Sequence, residues 1–311
     1  MLHDPRNNME HEVPAAPDRQ GMIRGLSRAG FHRIAFTEWG RGRTECPVVC
    51  VHGLTRQGRD FDFLADRLAK ARRHVVCPDL PGRGRSGRLA NPDEYELPQY
   101  CADMNALIAH FGAKEVDWVG TSLGGLIGMV LAGLPGNPIR RIVINDIGPF
   151  VGWSGLSRIG RYVADMPVSF PTIDKAESYF RTIHATYGEL PDRCWRHLTE
   201  HSVSWNEERQ HYATLCDPAI AVAFRTPWYN SLDLWKYWEA IRVPILVLHG
   251  SKSDLLTADL TREMVNRNRR ATVHRFPECG HVPPLMAAHQ LDVIEAFLAE
   301  GTRRRRPGAR A

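Results

Sequence analysis

One stretch constrains what this chain can fold into more than any other: Val116-Asp117-Trp118-Val119-Gly120-Thr121-Ser122-Leu123-Gly124-Gly125. An apolar, β-rich run leads into Gly-x-Ser-x-Gly, and a helix-forming run, Leu126 to Leu134, leaves it. The pattern reads as a strand that turns abruptly into a helix with Ser122 at the apex. Such a turn holds the serine in a strained, positive-φ conformation. Strand and helix approach closely there, so Gly120 and Gly124 are required for lack of a Cβ. The helix that starts at Ser122 aims its free N–H groups and positive dipole end at the surroundings of the hydroxyl, which suits a developing oxyanion. Gly-x-Ser-x-Gly by itself is short enough to be an ordinary Gly/Ser turn. A catalytic reading therefore needs a base, an acid and oxyanion donors elsewhere in the chain.

The rest of the chain alternates strand and helix. An alternating run from Phe31 to Glu38 predicts an early antiparallel strand. Pro47–Val51 is a continuous apolar run, as expected of a strand buried on both faces; His74–Cys77, Val116–Val119, Ile139–Asn145 and Pro244–His249 read as further buried strands, and Ala271–Phe276 as another strand. Helical spacing marks Phe61–Ala71, Leu97–Phe111, the segment after Ser122, Leu260–Asn268 and Gln290–Leu298. This order implies right-handed βαβ crossovers: an α/β fold with a mostly parallel sheet and helices on both faces. From about Phe150 to Glu239 strand-like runs vanish and tryptophans accumulate among short helical patterns. That segment reads as a helical insertion over the C-terminal strand ends, where open α/β sheets place their sites. The expected organisation is a disordered leader over 1–20, a core over 21–149 and 240–300, a helical lid over 150–239 and a basic, disordered tail over 301–311.

Charge and cysteine usage narrow the function classes. The net charge is +5, and the run Arg303–Arg306 with Arg310 supplies as many positive charges by itself. The body is therefore close to neutral, with no basic patch interleaved with aromatics, so nucleic-acid binding is not expected. The stretch Met1 to Gln20 has no apolar core of a secretory signal, and no run approaches the roughly 20 apolar residues of a membrane span. The seven cysteines are odd in number, lack Cys-x-x-Cys and sit partly in apolar runs. They suit a reducing cytoplasm rather than a disulfide framework or a zinc site.

Each missing partner of Ser122 has a candidate just after a predicted strand. The base is His281, between Gly280 and Val282-Pro283-Pro284, in a rigid exposed loop. A ring of ordinary pKa there is mostly neutral and able to accept a proton. The acid is Asp254, in Gly250-Ser251-Lys252-Ser253-Asp254, one strand before the His281 loop; the rival is Asp146, at the end of the strand after the serine helix. The oxyanion donors are the backbone N–H groups of Leu123, which follows the nucleophile, and of Leu54, in His52-Gly53-Leu54. His52 and His249 each precede a glycine at a strand end and read as structural, holding their loops by hydrogen bonds.

The order Ser122, Asp254, His281 is that of the α/β-hydrolase superfamily, which the chain resembles from Phe31 to Leu298. The resemblance rests on His-Gly-Leu at 52–54, Asp-Leu-Pro-Gly-Arg-Gly-Arg-Ser at 79–86, Gly-Thr-Ser-Leu-Gly-Gly at 120–125, Gly-Ser-Lys-Ser-Asp at 250–254 and Gly-His at 280–281. It implies an eight-stranded sheet whose second strand is antiparallel, with a helical lid inserted after strand six. Ser122 sets the chain apart from the dehalogenases and epoxide hydrolases of this fold, which carry Asp at that position. Val282 departs from the Trp that often follows the histidine in the carbon–carbon hydrolases. The resemblance thus implies serine hydrolysis of a carboxylic ester or lactone, with no cofactor and no metal. A carbon–carbon hydrolase and a non-catalytic ligand-binding protein are the alternatives. The stretches Phe31–Gly40, Val51–Asp62 and Asn145–Pro149 are similar to a subgroup containing intracellular 3-hydroxybutyrate-oligomer hydrolases and carboxylesterases active on polyesters such as polylactide. This implies a small-molecule partner, a short aliphatic oligoester. Lid aromatics, Trp153 and Trp228 foremost, are candidates to line its pocket. Arg56 and Gln57 either meet a polar substrate end or are solvated loop residues. The sequence is silent on oligomeric state.

Overall fold

The computed structural model describes residues 13–42, 46–224 and 231–300. Residues 1–12, the tail from 301 and Trp228 lie outside them, and with them the expectations placed there. In chain order the core comprises β1 (Arg19–Ser27), β2 (Gly30–Trp39), β3 (Val48–Val51), α1 (Asp62–Lys70), β4 (Val75–Pro78), α2 (Leu97–His110), β5 (Val116–Thr121), α3 (Leu123–Gly133) and β6 (Ile139–Asn145). An inserted segment follows, with β7 (Phe150–Val151), α4 (Trp153–Ala164), β8 (Ser169–Phe170), α5 (Ile173–Ile183), α6 (Asp192–Glu200), β9 (Val203–Asn206), β10 (His211–Thr214), β11 (Leu232–Asp233) and α7 (Trp235–Ala240). The core then resumes with β12 (Ile245–Gly250), α8 (Ala258–Arg267), β13 (Ala271–Phe276) and α9 (Ala288–Ala299).

Eight strands form one sheet in the order β1-β2-β4-β3-β5-β6-β12-β13. β2 runs antiparallel to both neighbours, and every pairing from β4 to β13 is parallel. Period-two alternation sorts the side chains of the continuous apolar runs onto two buried faces. Val48 and Cys50 of β3 join Leu64 of α1 and Leu291, Ile294 and Leu298 of α9. Val49 and Val51 join Met104 and Leu107 of α2, Ile127 of α3 and Met264 of α8. The β3 run is apolar throughout because both of its faces meet helices.

Two features depart from the expected organisation. β1 begins at Arg19, so Arg19 and Gln20 belong to a strand and not to a leader. This edge strand mixes exposed and buried positions, with Met22 and Leu26 outward, and so offers no apolar run to read. The inserted segment is not purely helical either. β8, β10 and β9 form a small antiparallel sheet, and β11 pairs with β7. Strands of two to four residues are too short to display a period.

The insert fastens onto the C-terminal ends of the parallel strands. Thr55 Oγ, after β3, lies 3.0 Å from the Tyr162 hydroxyl. After β4, Gly84 N–H donates to Leu215 O at 2.9 Å, and Asp217 N–H donates to Gly82 O at 2.7 Å. After β13, Gly280 N–H donates to Thr186 O at 2.7 Å.

A buried ion cluster anchors the start of β5. Asp117 is fully buried, accepts from Arg73 Nη2 at 2.5 Å and takes a bidentate pair from Arg140 at 3.0 and 2.6 Å. Removing a carboxylate that neutralises buried cations leaves their charge uncompensated. Asp117→Ala is expected to lose roughly 3 kcal/mol or more of unfolding free energy in urea titration. A loss under 1 kcal/mol would show that the cluster adds nothing net.

Candidate active site

The strand-to-helix turn is built by close approach. Ser122 has φ 49° and ψ −110°, a conformation that L-residues rarely adopt. A Cβ on Gly124 would sit 2.0 Å from Val51 O, and one on Gly120 would sit 2.2 Å from Gly124 O. No side chain fits at either position. Gly124 N–H donates to His52 O at 3.1 Å, Ser122 N–H to Asn145 O at 2.9 Å, and Trp118 Nε1 to Gly124 O at 3.0 Å. These bonds tie the first turn of α3 to the ends of β3, β5 and β6, with the helix N-terminus beside Ser122.

Ser122 Oγ lies 3.3 Å from His281 Nε2. The ring's Nδ1 donates to Asp146 Oδ2 at 2.8 Å. Asp146 is fully buried and also accepts from Ser253 Oγ at 2.6 Å and from Gly250 N–H at 2.8 Å. The carboxylate on the histidine is thus Asp146, and the expectation of Asp254 is corrected. The Asp254 side chain is 56% exposed and pairs with Arg158 of α4 on the outside. Asp146 is the first residue past β6, beside the β5 strand that leads to Ser122, and its carboxylate reaches across the end of β12 to the His281 ring. The turn after β12 brings in Ser253 and carries the next side chain, Asp254, out of the site.

The loop after β3 that carries Leu54 is braced by a buried histidine. His52 is buried; its Nδ1 donates to Gly53 O at 2.7 Å, and its Nε2 accepts from Leu80 N–H at 2.9 Å. Burial pushes its pKa down to about 3. A carbonyl held this way turns the N–H across the same trans peptide, that of Leu54, to the opposite side. Arg83 Nε grips the next carbonyl, Leu54 O, at 2.7 Å. Neither Leu54 N–H nor Leu123 N–H donates to a protein acceptor among the described residues. A Cβ on Gly53 would lie 3.7 Å from Ser122 Cβ, which places this loop beside the hydroxyl.

The remaining expected residues divide. Gln57 caps a short helix, with Oε1 accepting from Arg59 N–H at 2.7 Å and Nε2 donating to Asp60 at 2.9 Å. It is neither solvated nor free to meet a substrate. Arg56 is buried and lines a narrow cavity with His52, Gly53, Thr121, Tyr187 and Val282. Trp153 is 54% exposed at the first turn of α4, outside that cavity. Instead the insert presents Tyr162, Phe180, His184 and Tyr187 towards Arg56. No sequence motif marked these four, because their convergence depends on how the insert packs.

Asp62, His197 and His201 bring ligand-type atoms within 4.8 Å of one another. Arg59 Nε already sits on both Asp62 oxygens at 2.9 and 2.8 Å, so the group is organised as an ion pair.

The alpha/beta hydrolase fold family model matches residues 47–287. A 3-hydroxybutyrate-oligomer hydrolase of Cupriavidus necator is 41% identical over 294 residues, covering 91% of this chain and 98% of that protein. The sn-1-specific diacylglycerol lipase of Mus musculus is 32% identical over 81% of this chain and 80% of its own length. Among solved structures, an alpha/beta hydrolase from Novosphingobium aromaticivorans superposes with a TM-score of 0.81 at 32% identity, covering 91% of this chain and 99% of that one.

The geometry separates the two acids in a single experiment. Asp146→Asn is expected to lower kcat of ester hydrolysis by about 10⁴-fold, and Asp254→Asn by less than about threefold. The reverse pattern, measured on one ester at saturation, would return the role to Asp254.

Proposed function

The chain belongs to the α/β-hydrolase fold family, and on that footing we propose that it hydrolyses short aliphatic or hydroxyalkanoate oligoesters through an acyl-enzyme on Ser122. The alignment of Ser122 Oγ, His281 and Asp146 carries this reading. His281 Nε2 takes the hydroxyl proton as Ser122 Oγ attacks the acyl carbon. Negative charge gathers on the former carbonyl oxygen, where the N–H groups of Leu54 and Leu123 and the α3 N-terminus stabilise it. The imidazolium then returns its proton to the leaving alcohol. Asp146 holds the ring in the tautomer that leaves Nε2 free to accept, and it stabilises the positive charge that follows. A water deprotonated by His281 releases the acid by the same steps in reverse order.

Likeness over nearly the whole length to a hydrolase of 3-hydroxybutyrate oligomers supports hydroxyalkanoate esters as the substrate class. The insert over the strand ends supports a lid that selects among them. No helix among the described residues is long and apolar enough to cross a membrane. All seven cysteines are free thiols, which supports a reducing, cytoplasmic setting.

A panel of p-nitrophenyl esters of increasing chain length tests the activity. Turnover is expected on short chains, and Ser122→Ala should cut kcat by roughly 10⁵- to 10⁶-fold. A fluorophosphonate should label the wild type and not the variant. Absence of both turnover and labelling, on esters and lactones alike, would sink the hydrolase reading.

A further inference from the structure

Among the described residues, two buried polar atoms close to the Leu54 loop have no protein partner. Arg56 is 6% exposed; its Nε and Nη2 grip Asp60 at 2.7 and 2.6 Å, and its Nη1 is buried and bonds nothing among the described residues. The second atom is His184 Nε2, also buried and unpartnered. Buried polar atoms in native proteins are almost always bonded to protein or to ordered water, and a substrate oxygen that displaces such a water can take over its bonds.

The two side chains share aromatic neighbours. The Phe180 ring lies 5.7 Å from Arg56 Cζ and stacks on His184 at 6.2 Å. Tyr187 stacks on the same imidazole at 4.7 Å and lines the cavity that Arg56 lines. The turn carrying His184 is bonded to the catalytic loop, through Thr186 Oγ to His281 O and Gly280 N–H to Thr186 O. Burial, together with the nearby Arg56 and His281, pushes the His184 pKa well below its ordinary value. The ring is therefore neutral, with one nitrogen carrying a proton.

Arg56 is also held in place. Asp60 takes two of its nitrogens and is itself braced by Gln57 at 2.9 Å. With Asp60 the guanidinium is neutral as a unit, so what Nη1 lacks is an acceptor oxygen rather than a counter-charge. The wall around it is aromatic, which suits a short aliphatic spacer on the substrate. A plain alkyl ester would enter and leave both atoms unsatisfied. An ester with a further carbonyl-type oxygen would satisfy them, and discrimination of this kind is steep because unpaired buried groups are costly.

We infer that Arg56 Nη1 and His184 Nε2 form a subsite for an oxygen of the unit next to the scissile ester, selecting esters that carry a second carbonyl group. That oxygen comes either from a neighbouring ester or from a free terminal carboxylate. In a hydroxyalkanoate oligomer one or the other recurs at every unit. The inference rests on the ester-hydrolase reading above and adds to it the feature of the substrate that is recognised.

Three substrates test it: hexyl butyrate, the methyl ester of the 3-hydroxybutyrate trimer, and the 3-hydroxybutyrate dimer as free acid. The wild type should show kcat/KM at least about tenfold higher on the trimer ester, the dimer acid or both than on hexyl butyrate. Arg56→Met should lower that value roughly tenfold to a hundredfold on the preferred substrate, and on hexyl butyrate by less than about threefold. His184→Phe keeps the aromatic stack and should lower the preferred substrate roughly threefold to tenfold. If only the dimer acid is affected, the carboxylate is the ligand; if the trimer ester is, the neighbouring carbonyl is. Equal losses on all three substrates would overturn the subsite and leave Arg56 a brace for Asp60. So would a wild type with no preference. Should Arg56→Met fail to fold, the differential in His184→Phe decides alone. A wild type that cleaves hexyl butyrate without preference sinks the subsite only. One that cleaves nothing and resists fluorophosphonate sinks the hydrolase reading itself.

Discussion

The first turn of α3 touches the end of β3 without any side chain between them. Gly124 N–H reaches His52 O at 3.1 Å, and a Cβ at position 124 would stand 2.0 Å from Val51 O. That contact sets the height of the helix over the sheet, and with it the strained backbone of Ser122. It also brings the β3 loop, which holds Leu54, to the same point as the helix N-terminus. Ser122, the α3 N-terminus and the Leu54 loop are thus positioned by one backbone-to-backbone approach, and the cost of the strain is met by the packing of two buried sheet faces.

Around that point the polar groups are largely satisfied by backbone at strand ends. His52 bonds a carbonyl on one nitrogen and an N–H on the other. Asp146 accepts from a backbone N–H, a serine and the histidine. Groups fixed in this way need little reorganisation when charge develops, which is the main source of electrostatic catalysis in such sites. Arg56 Nη1 and His184 Nε2 stand out against this background. They lie where the insert meets the core, beside Phe180 and Tyr187.

Most of the fold was legible in the sequence because a strand covered on both faces must be apolar throughout, and a helix on a sheet must repeat every three to four residues. The runs at Pro47–Val51 and Pro244–His249 obey the first rule and lie at β3 and β12. β1 escaped because an edge strand open to solvent on one side carries polar and exposed positions. The short strands of the insert escaped because two to four residues display no period.

By itself the sequence determined the turn at Ser122, the histidine loop at 281 and the glycine loop at 53, since each is a local pattern of residues that only a tight backbone turn accepts. Tertiary structure decided which carboxylate meets His281. Asp146 and Asp254 both follow strands, and only the order of strands in the sheet, with the turn that sends Ser253 inward and Asp254 outward, separates them. Tertiary structure also decided that Arg56 Nη1, facing the insert, has no partner among the described residues. Such outcomes depend on contacts between residues more than a hundred positions apart, such as His281 with Ser122 and Asp146, and no local pattern records them.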